Sequence, residues 1–223
     1  MSTKAKNQPR QPKGVPTGGQ WRATNRPEGR AVLCEPVDDP WRAAREGTLP
    51  PGFDRWDISD KEGRTVAHVA AGNGNLSPDF DRWDISDHYG WTVGHTAAAS
   101  GHLPPGFDRW DISDDNGSTV AHVAALHGTL SPDFDRWELA TKSGWTVAHA
   151  AAASGHLPPD FDRWDISDKF GWTVGHEAAR DGRLPADFDR WELVDQGGCT
   201  VAHEAAASGH LPPDFDRWDL LSS

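Results

Sequence analysis

Apolar side chains are sparse in this chain and come in short bursts, and the same burst returns every 27 residues. Residues 57–83, DISDKEGRTVAHVAAGNGNLSPDFDRW, set the pattern, which recurs with light editing through residue 218. The tetrapeptide FDRW closes each unit, at Trp56, Trp83, Trp110, Trp137, Trp164, Trp191 and Trp218, without insertion. A period between about 20 and 50 residues predicts a solenoid, in which each unit buries its apolar face only against its neighbours.

Local signals within one unit agree with one another. In Asp60-Lys61-Glu62-Gly63, Asp first and Gly fourth predict a type I turn whose Asp side chain bonds the backbone ahead. Thr65 stands at an N-cap position, and Val66, Ala67, Ala70 and Ala71 fall on one helical stripe before Gly74, which suits a left-handed C′ residue. The small Ala stripe lets neighbouring helices approach closely. Next, Ser77-Pro78-Asp79 predicts a second, shorter helix, with Ser as N-cap, Pro first and Asp in the opening turn. Phe80 and Trp83, three apart on its inward side, supply most of the buried area. The expected unit is turn, helix, shorter helix, and the fold class is an all-α solenoid of such units.

Residues 31–56 read as an N-terminal half repeat, since Ala43, Ala44, Gly47 and Leu49 precede Ala70, Ala71, Gly74 and Leu76 by 27 residues. It serves as a cap, with Asp38, Asp39 and Arg42 facing outward. Six full repeats occupy 57–218, and Asp219–Ser223 end the array with little cap of their own, so fraying or self-association is expected there.

The run Asp87–Leu103, DHYGWTVGHTAAASGHL, resembles the ankyrin repeat pattern D-x-x-G-x-T-P-L-H-x-A-A-x-x-G-H-L. Val93 stands in place of Pro and Gly94 in place of Leu. All six repeats share the likeness, which covers roughly residues 38–218. An ankyrin unit has about 33 residues; here PPDFDRW replaces a Leu-rich run, so the shortfall lies in the second helix and alters the tilt between units. The leucine-rich repeat string is absent.

Composition sharpens this picture in two places. The formal charge of −12 divides unevenly: residues 1–35 hold seven Lys or Arg against two Glu, which is +5, leaving −17 for the rest. Residues 1–30 are basic and rich in Pro and Gly, a composition that predicts disorder. Within them RQPKGVPTGGQW resembles a short leader on proteins of actinobacteria, their phages and mobile elements. No apolar run of membrane-spanning length occurs, the N-terminus lacks the apolar stretch of a secretory signal, and Cys34 and Cys199 form no zinc or disulfide pattern. A cytoplasmic protein with reduced thiols is expected.

Candidate chemistry is thin. His68, His95, His122, His149, His176 and His203 recur in TVAH or TVGH, the position of a structural hydrogen-bonding histidine in the resembling family. Packed helices lie roughly 8–10 Å apart, too far for two rings to share a zinc at about 2 Å per bond. His102, His156 and His210 follow helix ends, where they can bond exposed carbonyls. The Asp–Arg pairs of FDRW read as a salt-bridged solvent face, because catalytic carboxylates need unequal surroundings. No nucleophile elbow, P-loop or dinucleotide fingerprint occurs. A non-enzyme without cofactor or metal is expected.

Differences between repeats mark the candidate partner-binding residues. They fall in the turn, at Lys61 and Glu62, His88 and Tyr89, Asp115 and Asn116, Lys142 and Ser143, Lys169 and Phe170, and Gln196. They fall after the turn glycine, at Arg64, Trp91, Ser118, Trp145, Trp172 and Cys199, and on the first helix, at Val69, Thr96, Val123, Ala150, Glu177 and Glu204. Ankyrin-like proteins grip protein partners through such turn tips and helix faces, and Trp91, Trp145 and Trp172 are the hot-spot candidates. The competing expectation is an acidic array that imitates a nucleic-acid backbone and occupies a basic partner.

Overall fold

A continuous row of aromatic rings runs the length of the repeat array in the computed structural model, which describes residues 38–221. These residues fall within the compact unit Cys34–Ser223; the leader 1–30 and Cys34 lie outside the described residues. From Phe53 to Trp218, each FDRW Phe meets its own Trp edge to face, and each Trp meets the Phe of the next repeat, with centroids 5.0–5.4 Å apart. Edge-to-face pairs of this kind add about 0.5–1.5 kcal/mol beyond the area they bury.

The described elements are seven helices: α1 (Pro40–Glu46), α2 (Val66–Gly72), α3 (Val93–Ala99), α4 (Val120–His127), α5 (Val147–Ser154), α6 (Val174–Arg180) and α7 (Val201–Ser208), then a 3-10 turn Trp218–Leu221. Each packs only on the next element along the chain, so the fold is an all-α repeat solenoid. Helices of seven or eight residues are too short to persist alone. Ala44, Ala71, Ala98 and Ala125 are wholly buried, and three core clusters running along the array join helices of successive repeats.

Helix starts follow the sequence. Thr65, Thr92, Thr119, Thr146, Thr173 and Thr200 are N-caps in extended backbone, each in a capping box with the histidine three residues on. The first two amides are satisfied by main chain: Val66 N donates to Ile58 O (3.0 Å) and Ala67 N to Trp56 O (3.1 Å). In this way the segment after FDRW serves as acceptor for the next helix start, where a free N-terminus would leave its donors open. The turn also forms as expected, with Gly63 N bonded to Asp60 O (3.1 Å) and Asp60 Oδ1 accepting from the Glu62 and Arg64 amides.

Two expectations are corrected. The second helix is absent: Ser77–Phe80 make one turn, closed by Phe80 N to Ser77 O (3.0 Å), and the chain then runs without helix to Ile85. Phe80 and Trp83 are buried nonetheless, at 8% and 7% exposure. A short helix from Ser77 would have to end before Trp83, because Trp83 O and Ile85 O are needed as acceptors for Gly94 and Val93. The C-terminal end is not bare, since the 3-10 turn packs on α7 and places Leu220 and Leu221 against the last core cluster. The cap helix α1, by contrast, stands where the half repeat was expected, N-capped by Asp39.

The aromatic row carries a direct test. Phe134→Ala, in the middle, should cost about 3–5 kcal/mol in urea unfolding, whereas Trp218→Ala, at the end and 61% exposed, should cost under about 1 kcal/mol.

Candidate functional site

Two surfaces compete for function, the turn side and the loop side, and the histidines lie beneath the first. His68 Nδ1 accepts from the Thr65 amide (3.1 Å) and sits 2.8 Å from Thr65 Oγ1, which fixes the proton on Nε2. Nε2 then donates to Trp91 O of the next repeat at 3.0 Å. The same bond runs from His95 to Ser118 O, His122 to Trp145 O, His149 to Trp172 O and His176 to Cys199 O. Each imidazole thus caps its own helix and fastens the following turn. Among the described residues no group of three His, Cys, Asp or Glu is placed to hold a metal.

The turns are fastened to one another as well. His88 N donates to Glu62 O (3.2 Å), Lys142 N to Asn116 O (3.0 Å) and Gln196 N to Phe170 O (3.0 Å). Side chains repeat the step: Lys142 Nζ donates to Asp115 O (2.6 Å), Lys169 Nζ to Lys142 O, and Gln196 Nε2 to Lys169 O (2.9 Å). This approach is why the fourth turn residue is glycine. At Gly117, φ is +79°, and a Cβ would lie 2.9 Å from Lys142 N.

The candidate residues now separate by exposure. Lys61, Glu62, Arg64, His88, Tyr89, Asp115, Asn116, Lys142, Ser143, Lys169, Phe170 and Gln196 are exposed, while Trp91, Ser118, Trp145, Trp172 and Cys199 are half-buried. Tyr89 and Phe170 are the exposed aromatic rings among them, at 73% and 67%. The three tryptophans are packing groups in large part. Their rings lie over His95, His149 and His176 at 4.9–5.0 Å, and Trp91 Nε1 donates to Thr96 Oγ1 and Trp172 Nε1 to Glu177 Oε2.

The first-helix face is corrected for half of its positions. Val123, Ala150 and Glu177 are buried, so they present no side chain to a partner. Burial raises the Glu177 carboxyl above its ordinary range, opposed by the Trp172 N–H and by Arg180, which contacts it.

One structural position was legible in the sequence only where it is histidine, because Asn75, Thr129 and Arg183 stand there in other repeats. Asn75, Thr129, His156, Arg183 and His210 all donate to a carbonyl near the end of the preceding repeat's helix, namely those of Ala44, Ala98, Ala125, Ala152 and Ala179. Four side-chain chemistries, Asn, Thr, His and Arg, perform one capping task in trans. The histidines among them therefore cap a neighbour's helix, where their own was expected.

On the loop side the carboxylates stay exposed, for example Asp160, Asp162 and Asp165 around Arg163. The FDRW arginine does not pair within its own tetrapeptide. Arg136 reaches Asp111 and Arg190 reaches Asp165, both at 3.8 Å, and Arg163 contacts Glu138, so each ion pair ties the end of a 27-residue repeat to its own beginning. Such exposed pairs contribute little stability.

No family model matches the chain, and no curated protein matches it significantly.

Burial holds the imidazoles of His68, His95, His122, His149 and His176 below the ordinary histidine range, partly opposed by their bonds to carbonyls. The unfolded chain therefore binds protons that the folded array refuses once pH drops under about 6.5. Stability is complete above that value and falls below it, by about 1.4 kcal/mol per pH unit for each proton taken up. Urea midpoints should be level near about pH 7.5 and fall steeply toward about pH 5. In His122→Gln the slope should lessen by about one proton; a level profile throughout would contradict the assignment.

Proposed function

We propose that this solenoid is a non-catalytic scaffold that binds a protein partner across its row of turn tips. The supporting observation is the coincidence of two properties at one row: the turn residues differ from repeat to repeat, and they are exposed. Beneath them the backbone is fixed by turn-to-turn and histidine bonds, so binding need not order the loops first, which lowers its entropic cost. Tyr89 and Phe170 are the aromatic anchors in this reading, with Lys61, Glu62, Arg64, His88, Asn116 and Ser143 as the specificity-setting rim. The turn, N-cap and glycine pattern supports kinship of architecture with ankyrin repeats, in a 27-residue form that has given up its second helix. A reducing, cytoplasmic setting suits the free thiol of Cys199, half-buried and raised in pKa by that burial. Among the described residues no helix is long and apolar enough to cross a membrane.

A second reading rests on the loop side. There each full repeat carries two or three exposed carboxylates around one arginine, and such a file of charge would occupy a basic, nucleic-acid-binding protein by electrostatics.

Capture from host lysate separates the two. The scaffold reading expects proteins that are retained at about 0.5 M salt, where exposed charges are screened, and are lost when Tyr89 and Phe170 are both changed to Ser. Retention that survives the double variant and disappears at about 0.5 M salt would instead favour the acidic edge.

A further inference from the structure

A cleft between α2 and α3 is lined by Arg45, Arg64, Asn73, Trp91 and Thr96, together with Gly72. Gly72 makes the room. The same position carries Ala99, Leu126, Ala153, Arg180 and Ala207 in the later repeats, and the added Cβ would meet Thr96 Cγ2 at 3.5 Å, an ordinary contact. This glycine is helical, so no backbone requirement explains it.

The charges around the cleft are unevenly matched. Arg64 is held by Asp60 at 3.1 Å, and Glu46, the carboxylate next to Arg45 in the chain, is taken by Arg42 at 2.8 Å. The Asp87 carboxylate, also in the cleft, accepts through Oδ1 from the Tyr89 and Trp91 amides, both at 2.9 Å. Arg45 is left with its guanidinium unpaired among the described residues. Trp91 has its N–H bonded to Thr96 and one side against His95, so it offers ring surface and no donor.

We infer that this cleft anchors a carboxylate side chain of the protein partner, with Arg45 as the fork that grips it and Trp91 as an apolar wall for the adjoining residue. A guanidinium fork fits a carboxylate by two parallel hydrogen bonds. The cleft's cations stand out in an array whose formal charge past residue 35 is −17, so a partner's acid is repelled elsewhere and is steered to this end. The inference rests on the scaffold reading and adds the chemistry of the partner's anchoring residue.

A random dodecapeptide phage library panned on the full chain tests it. Enriched peptides should share an Asp or Glu beside an apolar residue. A synthetic copy should lose about tenfold or more in affinity when that acid becomes the amide, and equally on Arg45→Ala. Gly72→Leu, which installs the residue that α4 carries at this position, should block binding while helical circular dichroism stays unchanged. Arg82→Ala, on the loop side, should leave affinity as it was. Peptides without an acid in common, or acidic peptides indifferent to both Arg45→Ala and Gly72→Leu, would overturn the cleft assignment. If those peptides still depend on Tyr89 and Phe170, the scaffold reading stands without it. Failure to enrich any peptide would also overturn the cleft assignment and leave the scaffold reading to the lysate capture.

Discussion

Burial of the FDRW rings is the constraint on which the rest of the solenoid depends. A single helix of seven or eight residues with an alanine stripe has too little apolar area to order a 27-residue unit, so the area must come from elsewhere. Phe and Trp supply it, but neither ring can be covered within its own repeat alone. The Phe packs on its own Trp and on the Trp before it, so the row closes only when repeats stand side by side. Cooperativity between neighbours is therefore built into the packing, and the unit dispenses with a second helix.

Polar groups then set the spacing. Three kinds of link cross the interfaces between repeats at different heights: the histidine bond to the residue after the turn glycine, turn contacts on one side, and trans-capping of the preceding helix near the other. The acceptors are main-chain carbonyls in nearly every case. This explains how Trp, Ser and Cys can follow the turn glycine without loss of the histidine bond. It also explains why the turn glycine does not vary, since both its left-handed backbone and the approach of the next turn exclude a side chain.

Much of this was legible in the residues. The period, the Asp turn, the Thr cap and the left-handed glycine are local signals with one physical reading each, and all appeared where expected. Ser77-Pro78-Asp79 was not of that kind, because Ser-Pro opens a tight turn as readily as a helix. Only the demand for Trp83 O and Ile85 O as acceptors decides against the helix, and that demand is tertiary. The capping position at Asn75, Thr129 and Arg183 was hidden for the opposite reason: its chemistry changes while its geometry does not. Nor could spacing reveal whether Trp91 faces solvent or a histidine ring. The turn-tip candidates at Tyr89 and Phe170 were legible as variable, and their projection from the surface came from the fold.

Because the interfaces close on backbone atoms and on rings that every unit possesses, one block can take the place of another. A DNA segment encoding 27 residues could be duplicated or excised by recombination without creating a mismatched junction. The length of the array, and with it the span of partner it can cover, is thus free to evolve by copy number while the decorations on each turn diverge separately.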